Sequence, residues 1–274
     1  MRRIAPLACL LALLSTSSLA APSARGPDRG ALVIVGGGKV GPEILDRFFA
    51  LAGGKDAPIV VIPTAAGDPS YGPETAGVKV LTDAGATHVT VLHTADRKEA
   101  DSEAFTRPIA EARAVWIPGG RQWRLVDSYS GTRTEAEIKK LLARGGVVGG
   151  SSAGASIQAS YLVRGAREGN EVMMAPGYEE GFGLLQGAAI DQHVITRHRE
   201  TDLDAVVAKH PDLLGVGLDE STAIVVQGGR FDVIGKSKAF VHDGKPDASG
   251  LTYHLLSAGD RYDMQTLTVS KTGG

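Results

Sequence analysis

Gly150-Ser151-Ser152-Ala153-Gly154 is a G-x-S-x-G sequence set between the apolar pair Val147-Val148 and a small-residue stretch, Ala155 to Ser160. In that setting the serine sits on a sharp, strained turn from strand into helix. Its hydroxyl is pushed out above the sheet, and its neighbours must be small for the turn to close. The chemistry this serves is acyl transfer through a serine ester. The helix that follows points its N-terminus at the site, where its dipole favours developing negative charge. Ser151 offers a second register, with Gly149 two residues before it but Ala153 two after. A glycine-rich turn that packs helix on strand, or cradles phosphate, would use the same residues.

A serine hydroxyl attacks only when a base takes its proton, and that base needs an orienting acid. The chain has seven histidines. His88 opens a strand, His210 precedes Pro211, and His242 and His254 fall in late hairpins, which are structural or surface settings. His93 follows a strand and is a possible site residue. His193 stands out within Ile190-Asp191-Gln192-His193-Val194, a strand bearing three polar groups, followed by Thr196-Arg197-His198-Arg199. So many polar and cationic groups in a short stretch suit a site better than a core. A metal reading from Asp191, His193 and His198 is open, although their spacing fits no common zinc signature.

Elements at regular intervals must position these groups. Ala31–Val35, Pro58–Ile62, His88–Leu92, Val115–Ile117 and Val147-Val148 are short apolar runs rich in β-branched residues, as in strands covered on both faces. Helical patterns alternate with them: Pro42 to Leu51 with proline at the first position, Glu74 to Ala84, and Thr134 to Leu142 with Thr134 as N-cap and Gly145-Gly146 as stop. The pattern predicts an α/β fold with a mostly parallel, doubly wound sheet in a single domain. Its site lies at the carboxyl ends of the strands. That places Gly36-Gly37-Gly38, Pro63-Thr64-Ala65, Pro118-Gly119-Gly120 and Gly149 to Gly154 around it. Beyond residue 185, Ile224 to Val226, Gly228-Gly229 and Phe231 to Ile234 read as a hairpin, and Ala239 to His242 with Asp243-Gly244 as a further strand and turn. An antiparallel C-terminal extension of the main sheet follows.

Composition narrows the partners. The 274 residues carry 29 basic and 31 acidic side chains, a net charge of −2, interspersed along the chain. No electrostatic footprint for nucleic acid or an anionic membrane results. Residues 1–20 have the parts of a cleavable export signal: Arg2 and Arg3, an apolar run from Ile4 to Leu14, and small residues ending Ser18-Leu19-Ala20. That apolar run is too short to span a bilayer. Export of a soluble protein to the periplasm or the medium is the expectation, with residues 21–29 a short tether and residues 30–274 the hydrolase domain. Cys9, the one cysteine, falls inside the signal. The mature chain would have no thiol, which removes disulfides and any cysteine nucleophile.

The segments GGSSAGAS, DQH with two following arginines, and Leu214-Gly215-Val216-Gly217-Leu218-Asp219-Glu220-Ser221-Thr222-Ala223 resemble peptidase family S51, and most closely its cyanophycinase branch. The resemblance runs from Gly36 to about His242. It implies a class I glutamine amidotransferase-like fold with serine in place of cysteine, which agrees with the missing thiol. By matching motif it implies Ser152 as nucleophile, His193 as base and Glu220 as orienting acid, the last just past a turn at Gly215 to Gly217. The family's small dipeptidases take their acid from soon after the serine, where Glu168 and Glu171 stand here. The oxyanion hole would be the N–H groups of Ala153 and of Gly120 in the Gly119-Gly120 pair.

The same resemblance assigns Gln122, Asp191, Gln192, Arg197 and Arg199 to substrate binding. Cyanophycin is a poly-aspartate carrying arginine on each side chain, so Arg197 and Arg199 would meet carboxylates and Asp191 a guanidinium. Asp202 departs from the family's pattern, standing where its next arginine would fall; it also suits a helix N-cap before Leu203. What the resemblance implies is a serine-type hydrolase that cleaves aspartyl peptide bonds and releases β-aspartyl-arginine dipeptides from cyanophycin, with no metal and no organic cofactor. Rival readings are an aspartyl or isoaspartyl dipeptidase, and a binding protein that keeps the fold without catalysis. The sequence leaves the oligomeric state open, a homodimer included.

Overall fold

A computed structural model describes residues 25–247 and 249–271. The export signal of residues 1–20 lies outside the described residues. So does part of the tether of residues 21–29, although Arg25 to Pro27 exchange backbone hydrogen bonds with Gln186 and Gly228 on the body of the protein.

The chain begins with β1 (Ala31–Val35), α1 (Pro42–Ala52), β2 (Ile59–Val61), α2 (Ala76–Asp83), β3 (Val89–Val91), α3 (Arg97–Ala100), α4 (Glu103–Glu111) and β4 (Ala114–Ile117). Then come α5 (Gln122–Tyr129), α6 (Arg133–Ala143), β5 (Val147–Ser151), α7 (Ala153–Ser156), β6 (Ala159–Tyr161) and β7 (Leu185–Gln192). Last are α8 (Asp202–Lys209), β8 (Leu214–Leu218), β9 (Thr222–Gln227), β10 (Arg230–Gly235), β11 (Lys238–His242), β12 (His254–Ser257), β13 (Arg261–Asp263) and β14 (Thr268–Ser270).

The main sheet has nine strands in the order β14-β13-β10-β9-β1-β5-β4-β2-β3. The five from β1 to β3 run parallel, and the antiparallel extension joins at β1 through β9. The predicted hairpin is there, with β9 and β10 paired around Gly228-Gly229. Strands β13 and β14 continue that edge beyond β10, but the other C-terminal strands do not join this sheet. Strands β12-β11-β8-β7-β6 make a second sheet of five.

Alternation explains why two sheets are needed. Along β1, Leu32 and Ile34 point into one core with Ile190, Val216 and Leu218 of the second sheet. Ala31, Val33 and Val35 point into another, with Ile44, Phe48 and Leu81 of α1 and α2. Both faces of β1 are therefore covered, as its unbroken apolar run requires. Helix α8 covers the outer side of the second sheet with Leu203 and Val206.

Four local expectations change. The stretch after Ser152 is a helix only over Ala153–Ser156, then turns into β6, so it contributes one turn of dipole and no more. Gly215 to Gly217 is the middle of β8 and not a turn. Thr132 takes the N-cap position of α6, while the Thr134 hydroxyl donates to Ala100 O at 2.7 Å. Asp202 is the first residue of α8, not its cap, and its carboxylate meets Arg164.

Candidate active site

Strand β5 runs on through both glycines to Ser151, and each glycine is there for space. A Cβ on Gly149 would fall 2.5 Å from the Trp116 ring, and one on Gly150 would fall 2.3 Å from Gly154 O. Gly154 itself lies against Ile117 O, where a Cβ would sit at 1.8 Å. Close packing of α7 on β4 and β5 thus forces the chain to reverse at Ser152. The cost appears in its backbone, with φ 56° and ψ −113°, a region L-residues rarely occupy.

Ser152 Oγ lies 2.9 Å from His193 Nε2. His193 Nδ1 lies 2.6 Å from Glu220 Oε1. With Glu220 ionised, Nδ1 carries the proton and donates it to the carboxylate, which leaves Nε2 as an acceptor for the serine hydroxyl. The arrangement is nucleophile, base and orienting acid in series. Glu171, one of the two rival acids, contacts Arg199 instead. Ser151 lies in the register of β5, paired with Val35, and its hydroxyl is not the one that meets the base.

These three groups converge because three chain segments end together. Ser152 follows β5, Glu220 lies in the turn between β8 and β9, and His193 follows β7. The loop after β1 is what they share. His193 N donates to Gly36 O at 2.9 Å, and Ser221 N to Gly37 O at 2.9 Å. The His193 imidazole lies where a Cβ of Gly37 would be, 2.2 Å from its Cε1, and Glu220 Oε2 lies 2.6 Å from the corresponding position on Gly38. Sequence had placed this loop at the site without a role. Its glycines, with φ 122° and 65°, form the floor under the base and the acid.

Burial pushes the His193 imidazole below its ordinary pKa; the Glu220 hydrogen bond works against that shift, and the nearby Arg197 and Arg199 charges reinforce it. A neutral imidazole at neutral pH is what a general base requires. Asp219, beside Glu220, fixes the loop after His193: its Oδ1 accepts from Ile195 N, Thr196 N and the Thr196 hydroxyl, and its Oδ2 from the Ser237 hydroxyl at 2.6 Å. Burial alone would raise its pKa, but the Ser237 and Thr196 hydrogen bonds prevail and hold it below the usual carboxylate value.

The residues expected to form the oxyanion hole lie on either side of the nucleophile loop. Gly119 lies against the nucleophile, a Cβ there falling 3.2 Å from Ser152 Cβ. Gly120 adopts φ 147°, close over Ala65 O, and Ala153 opens α7 directly after the nucleophile. At the start of α5, Gln122 is buried, and its Nε2 amide has no partner among the described residues.

The polar stretch around His193 divides. Asp191 is a correction: it is fully buried, with Oδ1 accepting from Arg164 Nε at 2.7 Å and from Gln192 N at 2.9 Å, and Oδ2 accepting from Arg164 Nη2 at 2.9 Å. It has no face left for a substrate guanidinium. Arg164 also reaches Asp202 at 2.6 Å, so one buried guanidinium ties the end of β7 to the start of α8. Arg164 was missed in the sequence; a lone cation directly after the apolar Leu162-Val163 was the available signal. Gln192 and Arg199 are locked together, Arg199 Nη1 donating to Gln192 Oε1 at 3.1 Å, while Arg199 Nη2 reaches exposed Glu171 at 3.4 Å. Arg197 is exposed beside the base. His93 belongs to a separate cleft, bonded to the Thr64 hydroxyl at 2.8 Å. With His193 engaged by Ser152 and Glu220, and Asp191 by Arg164, the metal reading loses its ligands. Among the described residues no group of three or more His, Cys, Asp or Glu side chains is placed to hold a metal.

Comparison with known proteins agrees with this geometry. The sequence model of peptidase family S51 matches residues 32–234. A cyanophycinase from Geminocystis herdmanii is 30% identical over 259 residues, covering 87% of this chain and 95% of the relative. One from Trichormus variabilis is 32% identical over 267 residues, covering 87% of each. Among solved structures, a peptidase from an acI-B1 Actinobacterium superposes with a TM-score of 0.67 at 24% identity, over 87% of this chain and 98% of that one. A putative peptidase E from Listeria monocytogenes superposes with a TM-score of 0.55 at 15% identity, over 76% and 99%. At those identities the two structures bear on the fold alone.

Proposed function

The chain belongs to peptidase family S51 and is a serine-type hydrolase, and from that premise we propose that it is an exported cyanophycinase releasing β-aspartyl-arginine dipeptides from cyanophycin. The observation that carries the catalytic part is the series Ser152 Oγ to His193 Nε2 at 2.9 Å and His193 Nδ1 to Glu220 Oε1 at 2.6 Å. A protein that had kept the fold only for binding would have no reason to hold a strained serine against a buried, neutral imidazole. The cyanophycinase part is supported by the curated relatives that bear that name, and the export part by the signal-like residues 1–20.

The Ser152–His193–Glu220 series supports the following reaction. As the Ser152 oxygen attacks the carbonyl of an aspartyl peptide bond, Nε2 of His193 takes the hydroxyl proton, and Glu220 stabilises the imidazolium that forms. The carbonyl oxygen gains negative charge and is met by the N–H groups of Ala153 and Gly120. Collapse breaks the C–N bond, His193 hands its proton to the leaving amine, and Ser152 is left as an ester. Water, deprotonated by the same Nε2, then releases the acid and restores the serine. Arg197 supplies a cation for a substrate carboxylate, and the buried Gln122 amide, which has no partner among the described residues, supplies a donor.

Incubation of residues 21–274 with cyanophycin, followed by mass analysis, tests this. The expected product is the aspartyl-arginine dipeptide, absent with Ser152→Ala and still formed with Ser151→Ala. Cleavage of free aspartyl dipeptides without any release from the polymer would replace the reading with a dipeptidase.

A further inference from the structure

Three residues after Gly120, at Trp123, a guanidinium is already bound, and it belongs to the protein. Arg167, on the segment between β6 and β7, lies with its guanidinium carbon 4.8 Å from the centroid of the Trp123 ring and 5.6 Å from that of Tyr178. Its Nε donates to the Tyr178 hydroxyl at 2.6 Å, its Nη2 donates to Asp127 Oδ2, and Tyr178 in turn donates to Asp127 Oδ1 at 3.0 Å. Two aromatic faces and a carboxylate held by one of their hydroxyls are what a planar cation requires. The arrangement favours a guanidinium, whose separate N–H groups reach Tyr178 and Asp127 together while its carbon stays over Trp123.

Little holds Arg167 in this place. The residue is exposed, and exposed cation–π contacts and surface ion pairs are among the weakest interactions in proteins. The backbone around it has its own anchors. Arg121 Nη2 donates to Ala166 O at 2.6 Å, and Arg164 N donates to Met173 O at 3.0 Å. The Arg167 side chain can therefore swing away without releasing its segment. Behind the cage, Trp123 and Asp127 also line a cleft of about 640 Å³ with Asp68, Glu99, His93 and Arg124, the last with its guanidinium carbon 5.0 Å from the Trp123 centroid, so a departing or arriving side chain has room.

The cage is also within reach of the chemistry. Gly119 touches Ser152, and Trp123 is four residues on, a path of at most about 14 Å. An aspartyl-arginine unit acylating Ser152 has a side chain long enough to cover that span.

We propose that Trp123, Tyr178 and Asp127 form the subsite that receives the substrate's guanidinium, and that Arg167 occupies this subsite until the substrate displaces it. The proposal rests on the reading of the substrate as an arginine-bearing polymer. It replaces Asp191, which Arg164 has taken, as the acceptor for that arginine. Arg167 then acts as a competitor in cis, lowering apparent affinity without entering the reaction.

Agmatine, which carries a guanidinium but no peptide bond, tests the subsite separately from the reaction, with putrescine as the amine control. By titration calorimetry, agmatine should bind Arg167→Ala at least fivefold more tightly than the parent protein, while putrescine shows no gain. Arg167→Gln should behave in the same way. Adding Asp127→Asn to Arg167→Ala should undo the gain. Fluorophosphonate labelling of Ser152 in each variant reports that the fold is kept. Unchanged agmatine affinity in both Arg167 variants, an equal gain for putrescine, or no loss with Asp127→Asn would overturn the subsite. Failure of the parent protein to cleave cyanophycin, with the agmatine pattern intact, would overturn the substrate reading and leave the subsite standing.

Discussion

Gly37→Ala separates positioning of the base from every other property of the fold. The new methyl would fall 2.2 Å from His193 Cε1 and 2.7 Å from both ring nitrogens. Ordinary contact begins near 3.4 Å, so the imidazole must retreat by about 1.2 Å. The two hydrogen bonds of the triad, at 2.9 Å and 2.6 Å, lack that much slack before they cease to be hydrogen bonds. A misplacement on the order of 1 Å in a catalytic group costs about a hundredfold in rate. The substitution also strains the backbone, because φ is 122° there, at about 1–3 kcal/mol. Gly53→Ala supplies the control: φ is 100°, and nothing lies within 4 Å of its Cβ. Both variants should lose stability on that scale in urea unfolding, but only Gly37→Ala should lose kcat, by about a hundredfold. The reasoning fails if Gly37→Ala keeps kcat within threefold of the parent, or if Gly53→Ala falls as far.

Three further outcomes follow from charge. Arg164→Met leaves Asp191 buried without its cation and should cost about 3–5 kcal/mol; adding Asp191→Asn should recover at least half, read from urea midpoints, and no recovery would mean that Arg164 acts through packing. Burial holds the His193 pKa down, with Arg197 adding to the effect, so Arg197→Gln should move the acid limb of kcat/KM to higher pH while Arg197→Lys leaves it in place. An unmoved limb in Arg197→Gln would separate that charge from the base. Burial also holds His93 and His242 below the ordinary value of 6.5. The unfolded chain therefore takes up protons near pH 6.5 that the folded chain refuses until lower pH, and stability falls as pH drops through that value. Tm measured from pH 7.5 to 5.5 should decline, and a flat or rising Tm would contradict this.

Much of the catalytic centre was legible because local rules shape it. Ser152 is marked by glycines two residues away on both sides, and those glycines turn out to be clearances for α7 against β4 and β5. His193 is marked by an excess of polar groups in a short strand. The identity of the acid came from resemblance, since nothing local distinguishes Glu220 from Glu168 or Glu171; only the pairing of β9 with β1 brings it under the imidazole. The occupancy of Asp191 was not legible, because its partner Arg164 lies 27 residues away, and a buried ion pair leaves no periodicity in either segment. The second sheet was missed for a similar reason. Strands β7 and β8 have the same apolar character whether they continue one sheet or pack across it, and only the shared core with Leu32 and Ile34 distinguishes the two.

The pairing of β1 with β9 joins residues as distant in sequence as Leu32 and Val226, and it closes the turn that carries Glu220. A ribosome-bound chain has already emerged as far as its nucleophile strand before that pairing can form. Until Thr222 to Gln227 pair with Ala31 to Val35, Glu220 lacks the pairing that seats it behind the imidazole. The triad is thus completed by a contact between distant parts of the sequence and not within one local segment. A chain cut short before Gln227 should therefore fail to hydrolyse even with Ser152 and His193 in place, because the strand that seats its acid is incomplete.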